Sequence, residues 1–155
     1  MNRSRWPVLQ EQVYAHYPNL LRLVYQHVAL AVPLPARLPI CGILLQCLYP
    51  TPLVIAVQDQ AEFYEYTLWQ PDRTPFPDLA EARRQRYPTV LELPERASRA
   101  SYPECLVVPL WYQQMYGGWI ELYTTRSHPW SGDARAVQFF SDLGNELAAI
   151  LVQPH

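Results

Sequence analysis

Between Cys105 and Trp130 the chain reads CLVVPLWYQQMYGGWIELYTTRSHPW, and no other stretch limits the fold so sharply. Apolar positions recur with strand spacing on both sides of a turn placed at Gln114 to Gly117, the pattern of two antiparallel strands joined by a short loop. Alternation sends Ile120 and Leu122 to one face, and Trp119, Glu121 and Tyr123 to the other.

The segments around this hairpin complete a sheet and its covers. ICGILLQCL and PLVIAVQ, separated by YPTP, read as a strand, a turn and a second strand; AEFYEYTLW reads as a third strand or an irregular extension. From Gln70 to Glu104 the chain holds six prolines and no period beyond a helical turn or two around Asp78 to Arg86. A connection of that length inside a compact domain usually covers or binds something. Upstream, PVLQEQVYAHY and PNLLRLVYQHVALAVP have helical spacing, the second closed by Pro33. The last element opens at WSGD, where Ser131 or Asp133 can cap. Its apolar stripe runs through Val137, Phe140, Leu143, Leu147, Ile150 and Leu151 before Pro154 stops it. We therefore expect one domain over residues 1–155, with N-terminal helices in 1–32, sheet and crossover in 40–130 and a C-terminal helix over 133–152.

Composition removes several function classes. At 155 residues one core can form. Charged residues make up 17%, against a usual share of roughly 25%, which argues for a well-buried chain. All 12 basic residues are arginine, so chemistry that needs a lysine Schiff base or a phosphate-loop lysine is excluded. With net charge -2 and no basic run longer than RRQR (Arg83 to Arg86), the footprint of a nucleic-acid binder is missing. No apolar run reaches the roughly 20 residues of a membrane span, and MNRSRWPVLQEQ lacks the apolar stretch of a signal peptide. A cytoplasmic protein is expected, in which Cys41, Cys47 and Cys105 are free thiols.

The order of helix, strands, long crossover, LVVPL, turn, GGWIEL and then W-x-x-D leading into an amphipathic helix resembles a GAF domain, the small-molecule-sensing module of signalling proteins. Leu106 to Leu151 is most similar to the bilin-binding, phytochrome-like GAF domains of cyanobacterial sensors. The resemblance implies an α/β (α+β) fold: a central antiparallel sheet with the N- and C-terminal helices on one face and the long irregular crossover on the other. It also implies a non-catalytic sensory or regulatory domain of a cyanobacterial-type signal-transduction protein. Such a domain is the input of a two-component histidine kinase or a stand-alone module, and it responds to a small ligand or to redox state. The departures are specific. The crossover has neither cysteine nor histidine before Glu104, so covalent bilin attachment is not expected and the cofactor is unknown. A second histidine usual in those relatives aligns with Tyr123, and the nearby cysteine position with Thr125. A chain without lysine cannot supply the Asn-Lys-Phe-Asp-Glu signature of the cyclic-nucleotide type. Free methionine sulfoxide reductases use crossover cysteines, whereas Cys105 stands at the start of a strand.

On a GAF-like sheet the pocket-lining candidates are Trp111, Trp119, Glu121 and Tyr123, aromatic walls with one carboxylate to orient a ligand. The plainer alternative is a second core under the crossover, with Glu121 at its solvent edge. Arg83, Arg84 and Arg86 are candidates to clamp an anion, Arg84 being the chosen one; a solvated helix face is the alternative. Cys41 and Cys47, six residues apart on one strand, would lie roughly 20 Å apart and could not bridge. Cys41 and Cys105 remain as redox candidates, against buried structural thiols. His16, His27 and His128 have no metal-ligand spacing, and no metal site is expected. In sensory GAF domains the terminal helices often pair, so a homodimer is expected, with Val137, Phe140, Leu147 and Leu151 as interface candidates; the alternative is that this stripe covers its own sheet. Two rival functions stay open: a ligand-free protein-interaction scaffold, and a thiol-based redox sensor or enzyme.

Overall fold

The computed structural model describes residues 32–48, 51–59, 62–68, 77–93, 104–124 and 133–152. The helices expected within 1–32 lie outside the described residues, as do His16, His27 and His128. The remainder forms α1 (Leu34–Leu48), β1 (Leu53–Asp59), β2 (Glu62–Leu68), α2 (Pro77–Ala82), β3 (Thr89–Glu92), β4 (Glu104–Tyr112), β5 (Met115–Thr124) and α3 (Ala134–Leu151). The strands make one antiparallel sheet in the order β2-β1-β5-β4-β3, so the second arm of the opening hairpin is its central strand.

Two expectations need correction. ICGILLQCL is the body of α1, not a strand. Leu34, Leu38, Cys41, Leu44 and Leu45 recur at helical spacing and are buried together, and the stripe begins inside the proline-rich PLPARLP. Pro35 sits in the first turn, where a missing amide hydrogen is tolerated. Gly42 faces the ring of Tyr66, which any β-carbon there would strike, so the helix lies close against β2. Arg37 ties the start of α1 to the end of α3, its Nη1 donating to Ile150 O at 3.0 Å and its Nε to Val32 O at 2.8 Å. The second correction concerns the hairpin turn, which is the two-residue link Gln113-Gln114, with Gln113 at φ 57. Gly117 and Gly118 lie within β5 instead. Gly118, at φ 154, runs so close to the carbonyl of Ala56 that no side chain fits.

Alternation along the strands produces two cores. Leu53, Ile55 and Val57 of β1, Leu106, Val108 and Leu110 of β4, and Ile120 and Leu122 of β5 face α1 and α3. From α3 come Phe139, Phe140, Leu143, Leu147, Ile150 and Leu151. Fully burying each leucine contributes about 1.5–3 kcal/mol, so this layer dominates the stability. Asp133 caps α3 by accepting from Ala136 N at 3.1 Å. Phe140, Leu147 and Leu151 are at most 1% exposed and Val137 packs against the same core, so the stripe offered as a dimer interface is satisfied by its own sheet. The outward positions of α3 are Arg135, Gln138, Asp142, Asn145 and Glu146, all exposed. Across the sheet, Val54, Cys105, Val107 and Tyr123 make a smaller core beneath Leu79 and Ala82 of α2. The crossover thus covers this face, and its TVLE segment, which carries no signal beyond its length, pairs with β4 as the edge strand β3.

Candidate functional site

The crossover face carries its polar chemistry on the central strand. Trp119, Glu121 and Tyr123 alternate onto it as expected, and their environments diverge. Tyr123 is 1% exposed and belongs to the small core, while its backbone binds the segment before β1: its N–H donates to Pro52 O at 3.0 Å, and Thr51 Oγ1 donates to its carbonyl. Glu121 is not at a solvent edge but fully buried, and Arg83, the residue that follows α2, reaches it with Nη2 2.8 Å from Oε1. The same guanidinium lies over Trp119, its carbon 4.5 Å from the ring centroid. Phe63 of edge strand β2 flanks that indole, with ring centroids 5.8 Å apart, and is itself exposed. Among the described residues it is Arg83, not Arg84, that meets Glu121 from the crossover; Arg84, one residue on, is exposed.

Trp111 belongs to a second group at the hairpin tip. Between Leu110 and Trp111 the register of β4 and β5 shifts: Leu110 pairs with Gly118 and Trp111 with Tyr116, leaving Gly117 as a bulge. Plain alternation would send Tyr116 to the Ile120 side. The bulge turns it to the crossover side, where its ring lies 5.2 Å from that of Trp111. Both aromatic donors then hold the chain end of α2: Tyr116 Oη donates to Arg83 O at 2.6 Å and Trp111 Nε1 to Gln85 O at 2.9 Å. Arg86 closes the group, stacked 4.0 Å over Trp111 with its Nη2 2.9 Å from Gln114 Oε1. Burial raises the Tyr116 phenol above its ordinary 10.0, partly opposed by the charges of Arg83 and Arg84, so it remains a donor at neutral pH.

The Cys41 and Cys105 thiols do not converge, and the side chain of Cys47 lies outside the described residues. Cys41 lies in the helix-side core and Cys105 in the crossover-side core, with the sheet between them. Burial pushes the Cys41 thiol up to about 12, against a smaller opposing effect of Arg37, which keeps it from being a nucleophilic thiolate. Among the described residues no three His, Cys, Asp or Glu side chains come together to hold a metal ion, and no helix is long and apolar enough to cross a membrane.

No protein-family model and no curated protein matches the sequence. Among solved structures, the GAF domain of a Pseudomonas syringae pv. tomato protein described as a sensor histidine kinase superposes with a TM-score of 0.61 at 18% identity, covering 92% of this chain and 91% of that one. This chain has the GAF fold. The GAF domain of a phosphoenolpyruvate-protein phosphotransferase from Coxiella burnetii gives 0.58 at 17% identity, with 89% and 94% covered. Free methionine-R-sulfoxide reductase from Neisseria meningitidis, solved with its substrate, gives 0.59 at 16% identity, with 89% of each chain covered. At these identities the likeness is one of fold, and the chemistry of this GAF fold has to be read from its own residues. Of those, Phe63 and Tyr116 carried no sequence signal of their own, although the Gly117-Gly118 pair is a sign of an irregular strand.

Proposed function

We propose that this chain is a non-catalytic regulatory domain of the sensory GAF type, which takes a small molecule between the crossover and the sheet. The observation that carries this reading is the Arg83–Glu121–Trp119 group. It places a fully buried carboxylate on the central strand, an arginine from the crossover against it and an indole beneath that arginine. A fold that needed only a second core would be served as well by apolar side chains here, because a buried ion pair is seldom stabilising relative to them. Neighbours of the same fold include the GAF domain of a protein described as a sensor histidine kinase, which supports a regulatory role. The phytochrome-like, cyanobacterial subtype rests on Leu106 to Leu151 alone and stays within this proposal.

The ligand-free interaction scaffold is the second reading, favoured by the closure of Leu79 and Ala82 over Val54, Val107 and Tyr123. Native mass spectrometry of the full chain, purified from its own source, separates the two. A bound small-molecule mass that disappears in Arg83→Gln supports the sensory reading. A wild-type chain with no added mass, whose melting temperature is unmoved by a metabolite panel, overturns it in favour of the scaffold.

A further inference from the structure

Arg83 reaches the sheet with half of one binding edge in use. The Nε and Nη2 hydrogens of a guanidinium form a fork that matches the two oxygens of a carboxylate. Here Nη2 donates to Glu121 Oε1, while Nε, on the same edge, is buried with no acceptor. The indole under it repeats the pattern, for Trp119 Nε1 is also buried without an acceptor. Buried donors are bonded in the great majority of cases, so two orphans within one stacked pair are a feature to explain. Both are N–H donors and one sits on a cation; neither reaches the second oxygen of the paired carboxylate, Glu121 Oε2, which is buried in the same site and likewise makes no hydrogen bond. Beside the stack, Phe63 is 54% exposed and Arg83 is 23% exposed, which marks the side open to solvent as partly aromatic.

Resting on the pocket reading above, we infer that this site takes a small carboxylic acid with an apolar or aromatic body. The carboxylate accepts from Arg83 Nε and Trp119 Nε1, and the body lies against Phe63. Glu121 then has a second role. It holds Arg83 over the indole and, as a negative charge in the same buried site, it opposes the incoming carboxylate and sets how much ligand is needed. Removing its charge while keeping an oxygen for Nη2 should tighten binding.

The test is an NMR titration of the 15N-labelled full chain with phenylacetate, with benzyl alcohol as the neutral counterpart, following the indole N–H of Trp119, identified by its loss in Trp119→Phe. Phenylacetate is expected to shift the Trp119 indole and Arg83 Nε–H signals along one saturating curve, and benzyl alcohol to leave them in place. Glu121→Gln should lower the dissociation constant roughly tenfold. Arg83→Gln should abolish the shift, and so should Arg83→Lys, which keeps a cation for Glu121 but not the fork; an unchanged dispersion of amide signals shows that the variants fold. Indole and Nε–H signals that do not move up to tens of millimolar phenylacetate would overturn the inference, as would a shift surviving in both arginine variants or weaker binding in Glu121→Gln. A bound mass lost in Arg83→Gln, together with no response to phenylacetate, leaves the pocket standing and ends the carboxylate assignment; loss of both ends both.

Discussion

On the helix-covered face, the inward residues of the central strand are Ile120 and Leu122; one residue along the same strand, the chain turns Trp119, Glu121 and Tyr123 the other way. The first face is closed by α1 and α3, and the side chains that interlock there are chiefly aliphatic and phenylalanine. The second is closed by a six-residue helix and a handful of directed contacts: an ion pair, two stacked arginines and two aromatic donors on backbone carbonyls. Apolar packing is non-directional and gives way only by leaving a cavity, whereas directed contacts can be exchanged one for another. One sheet thus combines a face that fixes the fold with a face whose contacts are replaceable, as the proposed regulatory role would require.

The largest effect should come from the helix-covered side. Leu143→Ala, in the core of α3, should lower unfolding free energy by about 3–5 kcal/mol in urea titrations, and Leu79→Ala under the crossover by about 2, because a short surface helix can settle into the space. Equal losses would break the contrast. Next in size is an asymmetry within the ion pair. Arg83→Met removes the arginine from Glu121, which has no exposed surface, and should cost about 3 kcal/mol. Glu121→Gln leaves an arginine that can turn toward water and should cost about 1. Arg83→Met combined with Glu121→Leu should recover most of the loss; a double variant no better than Arg83→Met would show that the pair stabilises the fold outright.

Alkaline titration probes the helix-side core. Its buried thiol ionises near 9.0 in the unfolded chain and only near 12 in the folded one. The stability this proton contributes is therefore complete below pH 9 and falls as the pH rises toward 12, by about 2–3 kcal/mol at pH 11. Cys41→Ala should flatten the curve in that window, leaving the decline above pH 10 to tyrosines such as Tyr116. The smallest effect is expected from Asp133→Ala, which removes the α3 cap and should cost about 1 kcal/mol in the same urea titration.

How much of this was legible in the sequence depended on whether a residue's surroundings were local. The faces of β5 followed from period-two alternation because the strand lies between partners on both sides and its inward set cannot slip. In α1 the run ICGILLQCL is apolar on every side, and a run of that kind does not separate strand from helix; Leu34 and Leu38 would have decided it, but they stand among prolines. Choosing Arg83 over Arg84 turns on α2 ending at Ala82, and helix ends are read to no better than a few residues. Tyr116 was hidden by a single bulge. Glycine in a strand announces an irregularity without saying which side chain it re-aims.

The sheet order has a kinetic consequence. β1 with β2 and β4 with β5 are hairpins between neighbours in the chain, yet each is a two-stranded ribbon that is marginal alone. They meet along one seam, β1 against β5, which closes only after the entire crossover has been brought into a loop. That seam, and not either hairpin, should set the folding rate. A chain cut within the crossover would leave α1, β1 and β2 on one piece and β4, β5 and α3 on the other, two halves able to find each other along the backbone edges of Ala56 and Trp119.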